Sequence, residues 1–450
     1  ADARRAATVE RCTRQLCFFD EHTWGSWNSV AQPDSLDTKG QFADKALWAY
    51  RPLAIAELAV GDANRAIAPG TPGIHVVNPY DAPFTGWVRL TNDCLRGEYV
   101  GVEEATTGAQ QAFDVLPAAS PFFTVPTDAS QFSPLDTARV FPDHIAGKEV
   151  RFWAEELPPH SMRSYRLLTT LTPQPQVGSP PALWERRRLS GGVRVSVDAT
   201  SWPQAARWGQ TELFTSAIGD FLSLEVQGLA PRWRYKRLMA LPTPEERRAA
   251  REQATLLRQA APAGPATLRD TGPTLVYEQY LTHPRLRILR RTLEIFKEQP
   301  RAQLQIVFDR RPQPDAAEIF YVRFPLACAG WDLQISNGGL TFRPGREQIA
   351  NSCQDFYSLD EQVVYTRGTS RVVLACRDSA LVAFGGMHDG LMLPNLPEEL
   401  HIPYAILYNN IWYTNFAGDE AGRMEFRFDL YGLEGAEAGY APAAFAIVNV

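Results

Sequence analysis

Asp20-Glu21-His22-Thr23-Trp24-Gly25 places an imidazole, two carboxylates and an indole side by side. Imidazole is the commonest metal-binding side chain, and a neighbouring carboxylate can fix its tautomer by accepting the second ring N–H. By residue type alone, a single His among aromatic residues reads first as a hydrogen-bonded structural group. Asp20 and Glu21 read equally as helix-end charges or as acceptors of backbone N–H groups. Trp24 and Trp27 have faces that could stack on a sugar ring, although buried packing is the commoner fate of such rings.

A second polar group, Arg346, Gln348, Asn351 and Asp355, falls on a loop between strand signals, where local bonding to backbone is the ordinary role. Other combinations lack the spacing their chemistry would need. Ser352-Cys353 sits in no Gly-x-Ser-x-Gly elbow. Gly338-Gly339 opens no helix with a following Lys, so it is a turn and not a phosphate cradle. His388-Asp389 has no third partner at metal-ligand spacing and leads into a turn at Asp389-Gly390.

The elements that must hold these residues begin with helices. Ala6, Val9, Thr13 and Leu16 recur at three- and four-residue spacing, which predicts a helix from residue 2 to about 18. A second helix is expected after an Asp37 cap, with an apolar stripe of Phe42, Ala46, Ala49, Leu53, Ala56 and Val60, ending at Gly61 and Pro69-Gly70. Two helices bury little by themselves and need the rest of a bundle or a neighbouring domain. From Ile74 onward, short β-rich runs separated by turns such as Asn78-Pro79 and Pro158-Pro159 indicate antiparallel sandwiches.

The expected fold class is therefore mainly β: a short N-terminal helical hairpin, then antiparallel β-sandwich domains, the last of them large. The expected domains are 1–68, the end of a helical bundle carrying the Asp-Glu-His loop; 69–172, a small sandwich; and 173–450, a large sandwich with a helix inserted near 244–260. The proline-rich stretch from Thr172 to Pro181 is the expected linker.

A chain of 450 residues is too long for one ordinary core, which favours two or three domains. A net charge of -6 without a basic run argues against nucleic acid as the main partner, and no apolar stretch is long enough to span a bilayer. The scattered cysteines Cys12, Cys17, Cys94, Cys328, Cys353 and Cys376 show no paired spacing, so mostly buried free thiols are expected. The sequence opens on Ala1 inside a helical pattern, and the biological start is expected to lie upstream.

Several segments, in this order, resemble the C-terminal half of glycoside hydrolase family 38, the α-mannosidase-like enzymes. They are Phe18 to Gly25; Val76-Val77-Asn78-Pro79 with Gly86-Trp87-Val88; Leu157-Pro158-Pro159-His160 to Tyr165; Glu318-Ile319-Phe320-Tyr321 to Pro325; Gln348 to Asp355; and Asn409-Asn410-Ile411-Trp412-Tyr413-Thr414-Asn415. The better-known members show His-His-Asp where this chain has Asp-Glu-His. The resemblance implies a retaining, zinc-dependent glycosidase whose two catalytic carboxyls stand ~5 Å apart. It places them in an N-terminal α/β domain upstream of residue 1, so no catalytic residue is expected in this chain.

The same resemblance implies that His22 is a zinc ligand, with Asp20 or Glu21 orienting its ring. It also implies that Trp24, Arg346, Gln348, Asn351 and Asp355 contact substrate. Expected partners are a glycan substrate, the protein's own N-terminal catalytic domain and, in an oligomer, further copies of the chain; neither nucleic acid nor membrane is expected. A non-catalytic carbohydrate-binding or structural β-sandwich module is the alternative function.

Overall fold

A computed structural model describes residues 2–20, 32, 34–67, 70, 72–90, 99–117, 148–169, 192–226, 243, 245–246, 249, 255–311, 317–349, 352–360, 362–388, 396–411, 421–435, 441 and 444–449. Two helices come first and antiparallel strands make up nearly all the rest, as the sequence pattern requires.

Helix α1 (Asp2–Asp20) and helix α2 (Leu36–Ile67) pair as an antiparallel hairpin. The Phe18 and Trp48 rings are 5.2 Å apart, and the Cys12 thiol approaches the Pro52 carbonyl at 3.8 Å. The α2 cap is Ser35, not Asp37: the Ser35 hydroxyl accepts the Thr38 N–H at 3.2 Å. Asp37 lies within the first turn, where its carboxylate accepts from Gln41 and sits favourably at the positive end of the helix. The expected stripe is largely unburied, with Phe42, Leu53 and Val60 at 52, 56 and 57% exposure.

The small sandwich faces two sheets across one core. The first runs, in spatial order, Phe445–Asn449, Gly73–Asn78, Ser161–Leu168, Gly101–Glu104, Gln110–Gln111; the second runs Phe84–Leu90, Lys148–Leu157, Phe113–Pro117. Alternation supplies the core: Phe84, Val88 and Leu90 point inward from one strand and Ile74 and Val76 from another, meeting Phe152 and Tyr165. The strand Phe445–Asn449 joins this sheet through pairing with Gly73–Asn78. The last strand of the expected 173–450 domain thus lies in the small sandwich.

The large sandwich contains a ten-stranded and a six-stranded sheet, with a three-stranded sheet from Arg194–Val197, Pro203–Trp208 and Thr211–Glu212. Its central strand Ala317–Arg323 is buried on both faces. Phe320 and Val322 enter the main core, while Ala317, Ile319 and Tyr321 pack with Leu224, Ala383 and Ile406 on the other side. The helix expected near 244–260 fails at its C-terminal end, because Thr255–Gln259 is a strand paired to Asp220–Val226. That pairing gives its backbone groups long-range partners, which outweighs local helix preference.

Cys328 and Cys376 are buried free thiols, but Cys12 is half-buried and Cys17 and Cys353 are exposed. Cys94 and the linker Thr172 to Pro181 lie outside the described residues.

The two sandwiches are joined by buried charge. Glu294 accepts from Arg151 Nη1 at 2.8 Å, Trp87 Nε1 at 2.9 Å and the Thr274 hydroxyl at 2.6 Å. Arg151 also lies over the Trp87 ring and pairs with Asp114, which receives Arg269 of the large sandwich. Burial opposes the charge of Asp114, but the hydrogen bond from Arg269 and the guanidinium of Arg151 outweigh it and hold the carboxyl below its usual range.

Asn78 is fully buried, and its amide nitrogen donates to the carbonyls of Ala82, Leu157 and Pro158. Asn78→Ala leaves those acceptors short of a donor and should cost about 1–3 kcal/mol. Urea unfolding is the measurement, and a midpoint unchanged from wild type would contradict this role.

Candidate functional site

Asp20 ends α1 and is exposed; Glu21, His22, Trp24 and Trp27 lie outside the described residues. Among the described residues, no group of three His, Cys, Asp or Glu side chains is arranged to hold a metal. The described part of the chain therefore does not fit zinc by itself.

The loop from Arg343 to Asp355 is held by its own polar groups. Arg346 is exposed and paired with Asp332 at 3.6 Å. Gln348 Oε1 accepts the Gly345 N–H at 2.6 Å and the Tyr357 hydroxyl at 3.0 Å. Gly345 has φ 72°, and a Cβ there would stand 2.5 Å from Leu396. Asp355 is fully buried, and Asn351 lies outside the described residues. The structure thus does not present Gln348 and Asp355 as a shared sugar-facing surface: one fastens the loop and the other is sealed within it. The Gly338 and Gly339 amides donate to Asp360, as a turn requires.

The densest group of titratable side chains lies elsewhere, at the end of the central strand of the large sandwich. Glu318 stands opposite Glu225 in strand register, and Arg285 reaches both carboxylates, at 3.5 and 3.3 Å. Arg310 and Glu318 are both fully buried and bonded at 2.8 and 2.9 Å, and Arg310 lies over the Tyr408 ring. The Asn410 amide oxygen accepts the Glu318 backbone N–H at 2.7 Å. Burial pushes the Glu318 carboxyl above its usual range, although Arg310 and Arg285 pull it down.

His283 sits beside this cluster, with Nε2 2.9 Å from the Ser223 hydroxyl and Nδ1 accepting the Arg285 N–H at 3.3 Å. Acceptance at Nδ1 assigns the neutral tautomer with the proton on Nε2. Burial lowers its pKa to about 4; Glu225 opposes that shift, while Arg258 and Arg285 add to it.

Perturbed pKa values in one cluster often mark active sites, but ion-pair networks perturb them too. Here the strongest pair is sealed from solvent, so the cluster fixes the alignment of two strands. The sequence did single out Glu318 and Asn410, as members of separate segments. Arg310, Arg285 and His283 carried no local signal, because only long-range pairing brings them there.

Two predictions follow from this geometry. Arg310→Met should cost about 3–5 kcal/mol in denaturant unfolding, because Glu318 keeps its burial and loses its partner. Arg310→Met with Glu318→Leu should recover most of that loss. His283 is neutral in the folded chain at pH values where the unfolded chain protonates it. Its contribution is therefore complete above about pH 6.5 and disappears as the pH falls through about 4. Stability measured across that window should fall less steeply in His283→Gln than in wild type.

No family model and no curated protein sequence matches this chain. Among solved structures, the chain is similar to an alpha-mannosidase from Enterococcus faecalis V583, with 10% identity and a TM-score of 0.49, over 89% of this chain and 48% of that one. It is also similar to a protein in the glycosyl hydrolase family 38 from Enterococcus faecalis, with 11% identity and a TM-score of 0.48, over 89% of this chain and 50% of that one. The chain thus spans about half the length of these solved structures.

Proposed function

We propose that this chain is the C-terminal part of a retaining, zinc-dependent glycoside hydrolase resembling the α-mannosidases, which cleaves α-mannosidic or related bonds in a glycan. The observation that carries the reading is the way the ordered segments of the sequence meet in space. Asn78 of the second binds the Leu157 and Pro158 carbonyls of the third. Glu318 of the fourth is bound by Asn410 of the last. These residues behave as the fixed joints of one architecture, which supports reading the segments together.

In this reading the β-domains form a supporting wall, and His22 is one ligand of the metal. Zinc would polarise a bound substrate and hold its hydroxyls. Asp20 or Glu21 would orient the imidazole by accepting its second N–H. The exposed apolar side chains of α2 (Phe42, Leu53 and Val60) suit a hairpin that packs against a further domain of the same protein.

The test is metal analysis of the complete protein and of its His22→Ala variant. About one zinc per chain is expected in the first and a loss of at least tenfold in zinc affinity in the second. Equal zinc content and affinity in both would overturn the ligand assignment. The 450-residue chain alone should not turn over a nitrophenyl α-mannoside, because a single ligand does not assemble the site. Measurable turnover by the purified chain, free of contaminating mannosidase, would refute that.

A further inference from the structure

Strand Asp332–Asn337 turns back into strand Leu340–Phe342 through Gly338 and Gly339, whose φ values are 63° and 74°. Two positive φ values in a two-residue loop make the tight hairpin turn that matches the twist of its strands. Asn337 closes that hairpin opposite Leu340. It is also the one asparagine in the sequence that precedes a glycine.

An Asn-Gly pair carries a reaction of its own. The glycine backbone nitrogen loses its proton and attacks the side-chain carbonyl carbon of the asparagine. The new C–N bond closes a cyclic imide, and the bond from that carbon to Nδ2 breaks to release ammonia. Water then opens the imide at either carbonyl, which leaves aspartate or isoaspartate. Glycine favours the attack because no Cβ obstructs its nitrogen, and here Gly338 and Gly339 are both exposed.

In this fold both reacting groups are already engaged. The Gly338 N–H donates to Asp360 Oδ1 at 3.0 Å, and the Gly339 N–H donates to Oδ2 at 2.8 Å. Those two bonds, from Gly339 and from Gly338, hold the Asp360 carboxyl below its usual range, so it is charged wherever an amide begins to ionise. Removing the Gly338 proton would set a second negative charge 3.0 Å from the first. The leaving nitrogen is tied as well, because Asn337 Nδ2 donates to the Ser358 hydroxyl at 2.7 Å. The segment that carries both partners is itself anchored. The Asp360 N–H donates to the Ser336 carbonyl at 3.0 Å, and Tyr357–Ser358 pairs with strand Leu381–Phe384.

We propose that Asn337-Gly338 is a latent deamidation site, and that Asp360 and Ser358 hold it unreacted in the folded chain. Closing the imide requires the Gly338 N–H to leave Asp360 and Nδ2 to leave Ser358, so the guard acts on the nucleophile and on the leaving group together. Reaction would have a structural cost. Isoaspartate adds a methylene to the backbone at the hairpin end, so the pairs Asn337–Leu340, Ser336–Thr341 and Ile335–Phe342 would lose register. Either product would also bring a new carboxylate up to Asp360. The change would reach the loop beyond the hairpin, where Arg343 ties Asp332 to Glu347.

The experiment incubates the 450-residue chain in mildly alkaline buffer, folded and in guanidinium chloride, and follows deamidation at Asn337 by peptide mapping and mass spectrometry. The folded chain is expected to react at least about tenfold more slowly than the unfolded one. Asp360→Ala should raise the folded rate about fivefold, and Ser358→Ala should raise it in the same sense. Arg343→Ala loosens the loop after the hairpin and leaves the guard in place, so its rate should match wild type. Thermal melts check that each variant is folded during the incubation. Should Asp360→Ala fail to fold, Ser358→Ala decides in its place. Equal rates in the folded and unfolded chain would overturn the proposal. So would a folded Asp360→Ala, or the Ser358→Ala that replaces it, reacting no faster than wild type. An Arg343→Ala chain reacting as fast as the guard variant would also overturn it, since general loosening of the hairpin would then suffice.

Discussion

Glu294 is the point on which the relation between the two sandwiches turns. It is buried in the large sandwich and receives Arg151 and Trp87 from the small one, together with Thr274 beside it. A buried charge is tolerated only when its lone pairs are filled, and here they are filled from both sides of the junction. Separation of the domains would leave Glu294 with Thr274 alone and Arg151 with Asp114 alone, in a freshly opened, partly apolar surface. The chain adds a second tie, because its last strand crosses back to pair with Gly73–Asn78. Trp153 packs edge-on against Trp87, whose N–H is held by Glu294.

Much of this architecture was legible in the residues. The short β-rich runs from Ile74 onward announced antiparallel strands, and Asn78-Pro79 and Pro158-Pro159 announced the turns between them. What those turns could not announce was that they touch. Asn78 binds the carbonyls of Leu157 and Pro158 across 79 and 80 residues of chain, and no local pattern encodes such a pairing. The same limit explains the misplaced end of the helix near 244–260, whose charged, alanine-rich composition favours helix while Thr255–Gln259 is drawn into a sheet edge. It also explains the misassigned last strand, which has the composition of its large-sandwich neighbours and the partners of the small one.

The candidate site was less legible, for a different reason. Polar residues in a sequence advertise chemistry whether or not they are used for it. Gln348 and Asp355 looked available and are consumed by the loop that carries them, the first by bonding and the second by burial. The exposed side chains of α2 err in the opposite direction. Their apolar spacing foretold a packing face, and Phe42, Leu53 and Val60 are instead left open by the described residues. A helix face of that kind marks where an interaction belongs without saying which reaction it serves.

The cluster around Glu318 shows why perturbed ionisation must be weighed against access. Its carboxyl is shifted upward and His283 is shifted down to about 4, which is the signature expected of an acid and a base. Yet Glu318 is fully buried, is bonded by Arg310 on one side and has its backbone held by Asn410 on the other. His283 has both ring nitrogens engaged, by Ser223 and by the Arg285 backbone. Groups so buried can align strands, but they are not presented to a substrate.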